Sequence, residues 1–287
     1  MSRFLEEFAQ KVREMNAPVF SVAEMVGENA PEMVQIVPTN ACQNGYSISK
    51  AYVVTGLGML FDRGMLRVEE KIADIFRDEL PENIDPMWEN VTVEHVLLHK
   101  CALPPRYLDI DLQDIAEYGT DDFLRYIFDT RLTGPVGEEY CYTDAAYYLL
   151  SRVFTKKCGE KLDDYLWREL FYPLGMREAA WSHCPKGYPM GATGLYMRAQ
   201  DCVKLGGVYL HGGVYAGKRY LSEEWVNLTL SRGYELKPLC GGKAWGKGGM
   251  YGQQLMAVPG EDRAVCWHAF GGYDKDGLID WVANWKK

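Results

Sequence analysis

Residues 46–66 read YSISKAYVVTGLGMLFDRGML, a serine and a lysine at S-x-x-K spacing followed by an almost unbroken apolar run. The run from Ile48 to Leu66 predicts a helix, and because it is apolar on nearly every side, this helix belongs in the middle of the protein. Residues at i and i+3 share a helix face, so the Ser47 hydroxyl and the Lys50 amine can meet at its start. The stretch therefore predicts a serine nucleophile on a buried helix, although a single Ser–Lys pair at this spacing also arises readily by chance.

A hydroxyl becomes a good nucleophile only when a base takes its proton, and a lysine can do so if its pKa is lowered. The N-terminus of the helix adds N–H groups and a positive dipole end, which stabilise a developing oxyanion. Two distant stretches supply further partners, YTD at 142–144 and KGG at 247–249. The phenol of Tyr142 can shuttle a proton, and Lys247 can hold an anionic group beside glycines that permit close backbone approach.

The order of predicted elements defines the fold class. Helices are predicted over residues 2–15, 48–66, 91–99, 121–128, 144–158, 162–170, 198–212 and 276–285, and strands over 18–25, 33–38, 249–258 and 264–270. Strands near both ends and helices between them predict an α/β (α+β) protein in which both chain ends build one sheet and a helical region is inserted. The sheet part is expected at about 1–46 and 185–287 and the helical part at about 47–184, within one unit.

Composition narrows the partners. The chain has 287 residues with 31 basic and 40 acidic side chains, a formal charge of −9, and no cluster of Lys or Arg. An acidic surface repels phosphate backbones and anionic lipids, so neither a nucleic-acid partner nor a membrane is expected. No secretory leader and no apolar run of about 18 residues is visible, which favours a cytoplasmic location. The eight cysteines are scattered singly without C-x-x-C, which indicates reduced thiols and no zinc cage.

The three motifs in this order, S-x-x-K, a relative of Y-x-N and a relative of K-T-G, form the signature of serine β-lactamases and penicillin-binding proteins. The sequence resembles the branch with class C β-lactamases, related esterases and 6-aminohexanoate-dimer hydrolases, and the resemblance runs from about residue 44 to 270. It is carried by YSISK at 46–50, GMLFDRGML at 58–66, VTVEHVLLH at 91–99, GLY at 194–196, GG at 212–213 and LSEEW at 221–225. The resemblance implies a β-lactamase/transpeptidase-like fold, an antiparallel sheet flanked by helices.

The resemblance also implies roles for residues. Ser47 would be the acylated nucleophile, Lys50 its base and Tyr142 a proton shuttle, with the choice between Lys50 and Tyr142 as base in acylation left open. The N–H groups of Ser47 and Met250 would form the oxyanion hole, and Lys247 and Gly249 would line the substrate site. The implied activity is that of a serine hydrolase forming an acyl-enzyme with a small-molecule ester or amide, without metal or organic cofactor. The oligomeric state is not predicted.

Two departures from the family pattern matter. Asp144 stands where the family usually has Asn, and Gly248 replaces a hydroxyl-bearing residue. An Asn amide donates to a substrate carbonyl, whereas an ionised Asp cannot, and Asp144 is expected to favour protonated Lys50 and to neutralise Lys247 in part. At ~4 Å and an effective dielectric constant near 20, such a charge pair is worth about 4 kcal/mol. We therefore expect weak or no true β-lactamase activity and an ester or unusual amide as substrate.

The main alternative is a catalytically inactive, penicillin-binding-like binding or sensor protein on the same fold, which Asp144 keeps open. An α/β-hydrolase reading, with His268 as partner of Ser47, is disfavoured because the preceding 46 residues cannot supply the required βα units. A zinc site at His95 and His99 lacks the Glu of H-E-x-x-H. The G-x-x-x-x-G-K match at 241–247 is followed by Gly248, which cannot bind Mg²⁺ as Ser or Thr would.

Overall fold

A six-stranded antiparallel sheet lies at the centre of the structure, a computed structural model that describes residues 1–286. The strands are β1 (Val19–Val26), β2 (Glu32–Gln35), β3 (Cys42–Asn44), β4 (Ala179–Trp181), β5 (Leu195–Arg198), β6 (Val214–Tyr215), β7 (Lys218–Arg219), β8 (Lys237–Leu239), β9 (Ala244–Gly248), β10 (Gln254–Val258) and β11 (Arg263–Ala269). The large sheet has the order β2-β1-β11-β10-β9-β8, with a second sheet β3-β5-β4 and the hairpin β6-β7. Because β1 pairs with β11, both chain ends build one sheet, as predicted.

The helices surround this sheet. They are α1 (Arg3–Glu14), α2 (Ser49–Asp62), α3 (Ile72–Ile75), α4 (Val93–Leu97), α5 (Phe123–Phe128), α6 (Asp144–Cys158), α7 (Leu162–Leu166), α8 (Ala199–Leu210), α9 (Glu223–Arg232) and α10 (Lys275–Asn284). A π-helical turn, Trp167–Phe171, continues α7 through most of the helix predicted at 162–170. The predicted arrangement of helices around an antiparallel sheet is confirmed.

The two faces of the large sheet bury different cores. Along β11 successive side chains point to opposite faces, as the pleat of a strand requires. Val265 and Trp267 belong to a core shared with α1 and α10, whereas Ala264 and Cys266 belong to the larger core that contains α8 and the helical region. The sheet is therefore sandwiched between the terminal helices on one side and the rest of the chain on the other.

Helix α2 runs through the larger core, in contact with α6, α7 and α9. Every residue from Ser49 to Leu60 is buried, which confirms the prediction from its all-round apolar sequence. At Gly58 an added Cβ would lie 2.2 Å from the Trp225 ring nitrogen, so only glycine permits this close packing.

The α2 helix ends at Asp62 and not at Leu66, and its end has a specific cause. Gly64 takes a positive φ of 67°. Its N–H donates to the Phe61 carbonyl at 2.9 Å, and the Met65 N–H donates to the Leu60 carbonyl at 2.9 Å. This Schellman arrangement uses carbonyls that the last turn would otherwise leave unpaired.

The bounds of two further helices and the division of the chain can be compared with their predictions. The helix predicted at 198–212 spans Ala199–Leu210, and Asp144–Cys158 has the predicted bounds. Strand Ala179–Trp181 lies in the stretch assigned to the helical part, so the division of the chain at about residue 185 remains a prediction.

All eight cysteines are free, four of them buried. Within residues 1–286, no helix combines the length and the apolar character needed to cross a bilayer.

Candidate active site

The predicted nucleophile lies in a short 3₁₀ turn, Tyr46–Ile48, directly before α2 and not within the α-helix. Two hydrogen bonds shape this turn. The Gly45 N–H donates to the Leu195 carbonyl at 2.9 Å, and the Tyr46 N–H donates to Asn44 Oδ1 at 2.8 Å. Tyr46 takes a positive φ of 48°, which is unfavourable for a side chain of this size. The turn thereby presents Ser47, half-buried, at the start of the buried helix.

The structure places both predicted proton-transfer partners, Lys50 and Tyr142, within hydrogen-bond distance of Ser47. Ser47 Oγ lies 2.7 Å from the Tyr142 hydroxyl oxygen, and either group can be the donor. The Lys50 ammonium donates to Ser47 Oγ at 3.1 Å. One hydroxyl, one phenol and one amine thus share a site although Tyr142 lies 95 residues from Ser47 along the chain.

Lys50 is fully buried and uses all three ammonium hydrogens. Besides Ser47 it donates to Asp144 Oδ1 at 2.7 Å and to the Ala192 carbonyl at 2.9 Å. Burial alone would lower the pKa of Lys50, but the Asp144 carboxylate outweighs it and raises the pKa of Lys50 above its usual value. The predicted preference for protonated Lys50 is therefore what the geometry supports. Asp144 occupies the first position of α6, with Thr143 as the N-cap.

Tyr142 lies between two lysines and against a histidine. Its ring centroid is 4.8 Å from the Lys50 ammonium and 5.0 Å from the Lys247 ammonium. The His99 ring stacks on it with centroids 4.6 Å apart and an interplanar angle of 29°. Tyr142 remains 37% exposed, so the phenol is at the mouth of the site and accessible to a substrate.

Lys247 has a carboxylate partner that the sequence reasoning missed. Its ammonium forms a buried ion pair with Glu235, and Glu235 also accepts a hydrogen bond from His99 Nε2 at 2.7 Å. Burial would lower the pKa of Lys247, but the Glu235 charge raises it above the usual lysine value. Burial would raise the pKa of Glu235, yet Lys247 and His99 hold it far below the usual range. The carboxylate in contact with Lys247 is therefore Glu235, whereas Asp144 pairs with Lys50.

Gly249 and Met250 follow β9 where that strand passes the nucleophile turn. An added Cβ on Gly249 would lie 2.7 Å from the Gly45 carbonyl oxygen, so glycine is needed for this approach. The Gly249 N–H donates to the Gln253 carbonyl at 2.8 Å, and the Tyr251 N–H donates to Gln253 Oε1 at 3.1 Å. The Met250 N–H, predicted for the oxyanion hole, lies between these two anchored amides.

Three carboxylates beside the site form a cluster of the kind that can bind a metal. Oxygens of Asp109, Asp111 and Asp144 lie within 4.8 Å of one another. Burial raises the pKa of Asp111 to about 6, and Asp144 adds to the effect, while a hydrogen bond from Thr193 opposes it. Because the Lys50 ammonium already pairs with Asp144, the cluster has a resident positive charge, and we assign no metal to it.

The histidines of the alternative hypotheses have other contacts. His95 Nδ1 accepts from the Thr92 N–H at 3.2 Å, and Thr92 Oγ1 accepts from the His95 N–H at 3.2 Å, which caps α4. His99 contacts Glu235 and Tyr142, as described above. His268 is buried in β11, and burial lowers its pKa to about 4. Within residues 1–286 its ring nitrogens have no hydrogen-bond partner, so the geometry gives no support to His268 as a base for Ser47.

An antiparallel sheet flanked by helices, with the S-x-x-K serine at the N-terminal end of a buried helix, defines the penicillin-recognising class of folds. The family model described as Beta-lactamase matches residues 34–285, so the chain belongs to the β-lactamase family. This finding agrees with the resemblance that the sequence motifs indicated.

Three relatives illustrate the range of the family. The chain is 27% identical over 149 residues to an N-acetylmuramyl-L-alanine amidase of Bacillus subtilis (strain 168), covering 50% of this chain and 34% of the relative. It is 26% identical over 205 residues to a 6-aminohexanoate-dimer hydrolase of Paenarthrobacter ureafaciens, covering 65% and 50%. The chain thus spans between a third and a half of the length of these curated relatives. The solved octameric penicillin-binding protein homologue from Pyrococcus abyssi superposes with a TM-score of 0.74 at 17% identity, covering 97% and 76%, which supports the fold.

Proposed function

We propose that this protein is a serine hydrolase that forms an acyl-enzyme at Ser47 with a small ester or amide substrate. The observation that carries the proposal is the contact set of Ser47 Oγ, 2.7 Å from the Tyr142 hydroxyl and 3.1 Å from the Lys50 ammonium. These are hydrogen-bond distances, so a proton can leave Ser47 as its oxygen attacks. The named hydrolases among the relatives support the same class of reaction.

In acylation, Ser47 Oγ attacks the carbonyl carbon while its proton passes to the Tyr142–Lys50 pair. The carbonyl oxygen becomes an oxyanion, which the N–H groups of Ser47 and Met250 stabilise. When the tetrahedral intermediate collapses, the bond to the leaving group breaks and the same pair returns a proton to that group. Water then attacks the ester on Ser47 by the reverse sequence and releases the acid.

The charge state of the site determines how the proton is held. Lys50 has a raised pKa and three acceptors, so in the resting enzyme it is an ammonium ion. To act as base it must first give a proton to Asp144; otherwise the Tyr142 phenol accepts the proton of Ser47 while it passes its own proton to the leaving group. Both routes use only groups in direct contact, and the choice between them remains open.

The substrate class follows from Asp144. An ionised carboxylate at this position accepts hydrogen bonds but donates none, so it cannot hold the amide carbonyl that Asn holds in β-lactamases. We propose weak or no β-lactamase activity and turnover of esters or unusual amides. No step requires nucleic acid, a membrane, a metal or an organic cofactor.

A fluorophosphonate probe tests the proposal because it phosphonylates an activated serine. Wild-type protein should be modified at Ser47, located by peptide mass spectrometry, whereas Ser47→Ala should remain unlabelled. Ser49→Ala is the matched control, since Ser49 is buried and its hydroxyl accepts from the Leu195 N–H at 3.2 Å. That variant should be labelled at Ser47 like the wild type.

The competing candidate is an inactive binding or sensor protein on the same fold. The observation that favours it is the saturated hydrogen bonding of Lys50, which leaves the resting amine no lone pair with which to accept a proton. If neither the fluorophosphonate nor a fluorescent penicillin modifies Ser47 in folded wild-type protein, the hydrolase proposal fails and the binding protein takes its place.

A further inference from the structure

Glu235 lies outside every motif, yet its buried carboxylate pairs with Lys247 on the strand side of the site. We infer that Glu235, held by His99, is a positioning residue that fixes the Lys247 ammonium and the Tyr142 ring beside Ser47 and keeps this half of the site electrically neutral. The inference rests on the proposed hydrolase function and adds to it Glu235, which no motif indicated, and His99, for which the sequence suggested only a zinc site.

The backbone around Glu235 is built to aim its carboxylate inward. Glu235 is 1% exposed and takes a positive φ of 61°, which is unfavourable for a residue other than glycine. It follows the end of α9 in a tight turn, where the Leu236 N–H donates to the Tyr234 carbonyl at 2.8 Å. An uncommon backbone conformation at a fully buried carboxylate is the pattern expected of a functional position.

His99 connects this carboxylate to the phenol. Its Nε2 bonds to Glu235 Oε1 at 2.7 Å, and its Nδ1 accepts from the Thr143 N–H at 3.4 Å. These partners assign the neutral tautomer with the proton on Nε2, which agrees with burial lowering the pKa of His99. With both nitrogens engaged the ring cannot turn, and its face lies against Tyr142. Glu235 thus fixes His99, and His99 fixes Tyr142.

The charges around Lys247 balance only when Glu235 is ionised. Several other titratable groups face the Lys247–Glu235 pair. They are His99, the tyrosines of α6 and of the loop before it (Tyr140, Tyr142 and Tyr147), and the second ion pair, Lys50 with Asp144. Lys247 is neutralised by Glu235, and Lys50 is neutralised by Asp144 in a separate ion pair. Loss of the Glu235 charge leaves one buried positive charge in excess, which favours proton loss from neighbouring groups at lower pH.

The test measures the second-order rate of Ser47 labelling by a fluorophosphonate probe from pH 5 to 10 in wild type and Glu235→Gln. We expect the midpoint of the rise in rate to fall by about one pH unit in Glu235→Gln. The conservative variant Glu235→Asp keeps the charge and should retain the wild-type midpoint. His99→Gln keeps the Glu235 charge but loses the ring against Tyr142, so its plateau rate should fall about tenfold with an unchanged midpoint.

Glu24→Gln is the matched control. Glu24 is also a buried carboxylate, paired with Arg263 at 2.8 Å, but that pair lies on the opposite face of the sheet, against the rings of Phe4 and Trp285. This variant loses a comparable ion pair, and its rate and midpoint should match the wild type.

The outcomes separate the two proposals. If wild-type Ser47 is not labelled, the hydrolase proposal fails first. If it is labelled and folded Glu235→Gln has the wild-type midpoint, Glu235 is only structural and the inference is wrong. If Glu235→Gln does not fold, His99→Gln decides, because a wild-type plateau in that variant overturns the positioning role.

Discussion

Each side of the site neutralises a lysine with a carboxylate, but the two ion pairs make different contacts within the site. On the helical side, Lys50 of α2 pairs with Asp144 of α6, and its ammonium also contacts the nucleophile. On the strand side, Lys247 of β9 pairs with Glu235 of the turn after α9. Its ammonium lies 5.0 Å from the centroid of the Tyr142 ring. In the proposed mechanism, the helical side handles the proton of Ser47, whereas the strand side sets the charge and the position of the phenol.

Lys50 is fully buried and the Lys247 side chain is 12% exposed, and each has a single carboxylate partner, so both pairs are sensitive to loss of one partner. An ion pair in the interior pays a desolvation cost that its mutual attraction offsets only while both members are present. Removal of the lysine therefore leaves an uncompensated carboxylate. Stability should fall on both sides, whereas reactivity should fall mainly on the helical side, and this difference can be measured.

The largest effect is expected for Lys50→Met. Loss of the amine in contact with Ser47 should lower the fluorophosphonate labelling rate by about 10³-fold, within the range of general-base effects. The unpaired Asp144 should lower the free energy of unfolding in urea by about 3–5 kcal/mol. The double variant Lys50→Met/Asp144→Asn should recover most of that stability but not the rate. A labelling rate within tenfold of the wild type in Lys50→Met would remove Lys50 from the chemistry.

A smaller effect on rate is expected for Lys247→Met. Glu235 retains its hydrogen bond from His99, so the loss of stability in urea should be below that of Lys50→Met. Labelling should slow by about 10- to 100-fold, because the variant changes the field at Tyr142 and leaves the contacts of Ser47 in place. If Lys247→Met labels more slowly than Lys50→Met, the assignment of the proton to the helical side is reversed.

The difference between the two sides also explains what the sequence could predict. Ser47 and Lys50 are three residues apart, so their contact depends on local helical geometry. The apolar run that follows them predicts that helix. Asp144 is the last residue of the YTD motif, so the sequence itself indicates a negative charge close to Tyr142. The sheet built from both chain ends was predictable for a similar reason, since the strand-forming runs stand at both ends of the chain.

Glu235 had no comparable signal in the sequence, and the signal at His99 favoured a different role. Glu235 follows α9 in a turn whose positive φ is fixed by tertiary contacts, and nothing in the residues around it marks an inward carboxylate. The 3₁₀ turn at Ser47 is similar, since its shape depends on the distant Leu195 carbonyl. The i,i+4 spacing of His95 and His99 suggested zinc binding, and not the contacts that His99 makes with Glu235 and Tyr142. Contacts between segments far apart in sequence decided these cases, and periodicity does not encode them.

The smallest effect is expected for Asp144→Asn, which changes the helical pair without removing Lys50. The amide can donate to a substrate carbonyl, and Lys50 loses the charge that raises its pKa, so it should release its proton at lower pH. Hydrolysis of benzylpenicillin, followed spectrophotometrically, should rise about tenfold above that of the wild type, the factor that one pKa unit represents. Asp111→Asn is the control, because this neighbouring carboxylate bonds to Thr193 and not to Lys50. Background turnover in a folded Asp144→Asn variant would show that the Asp144 charge is not what limits activity toward penicillins.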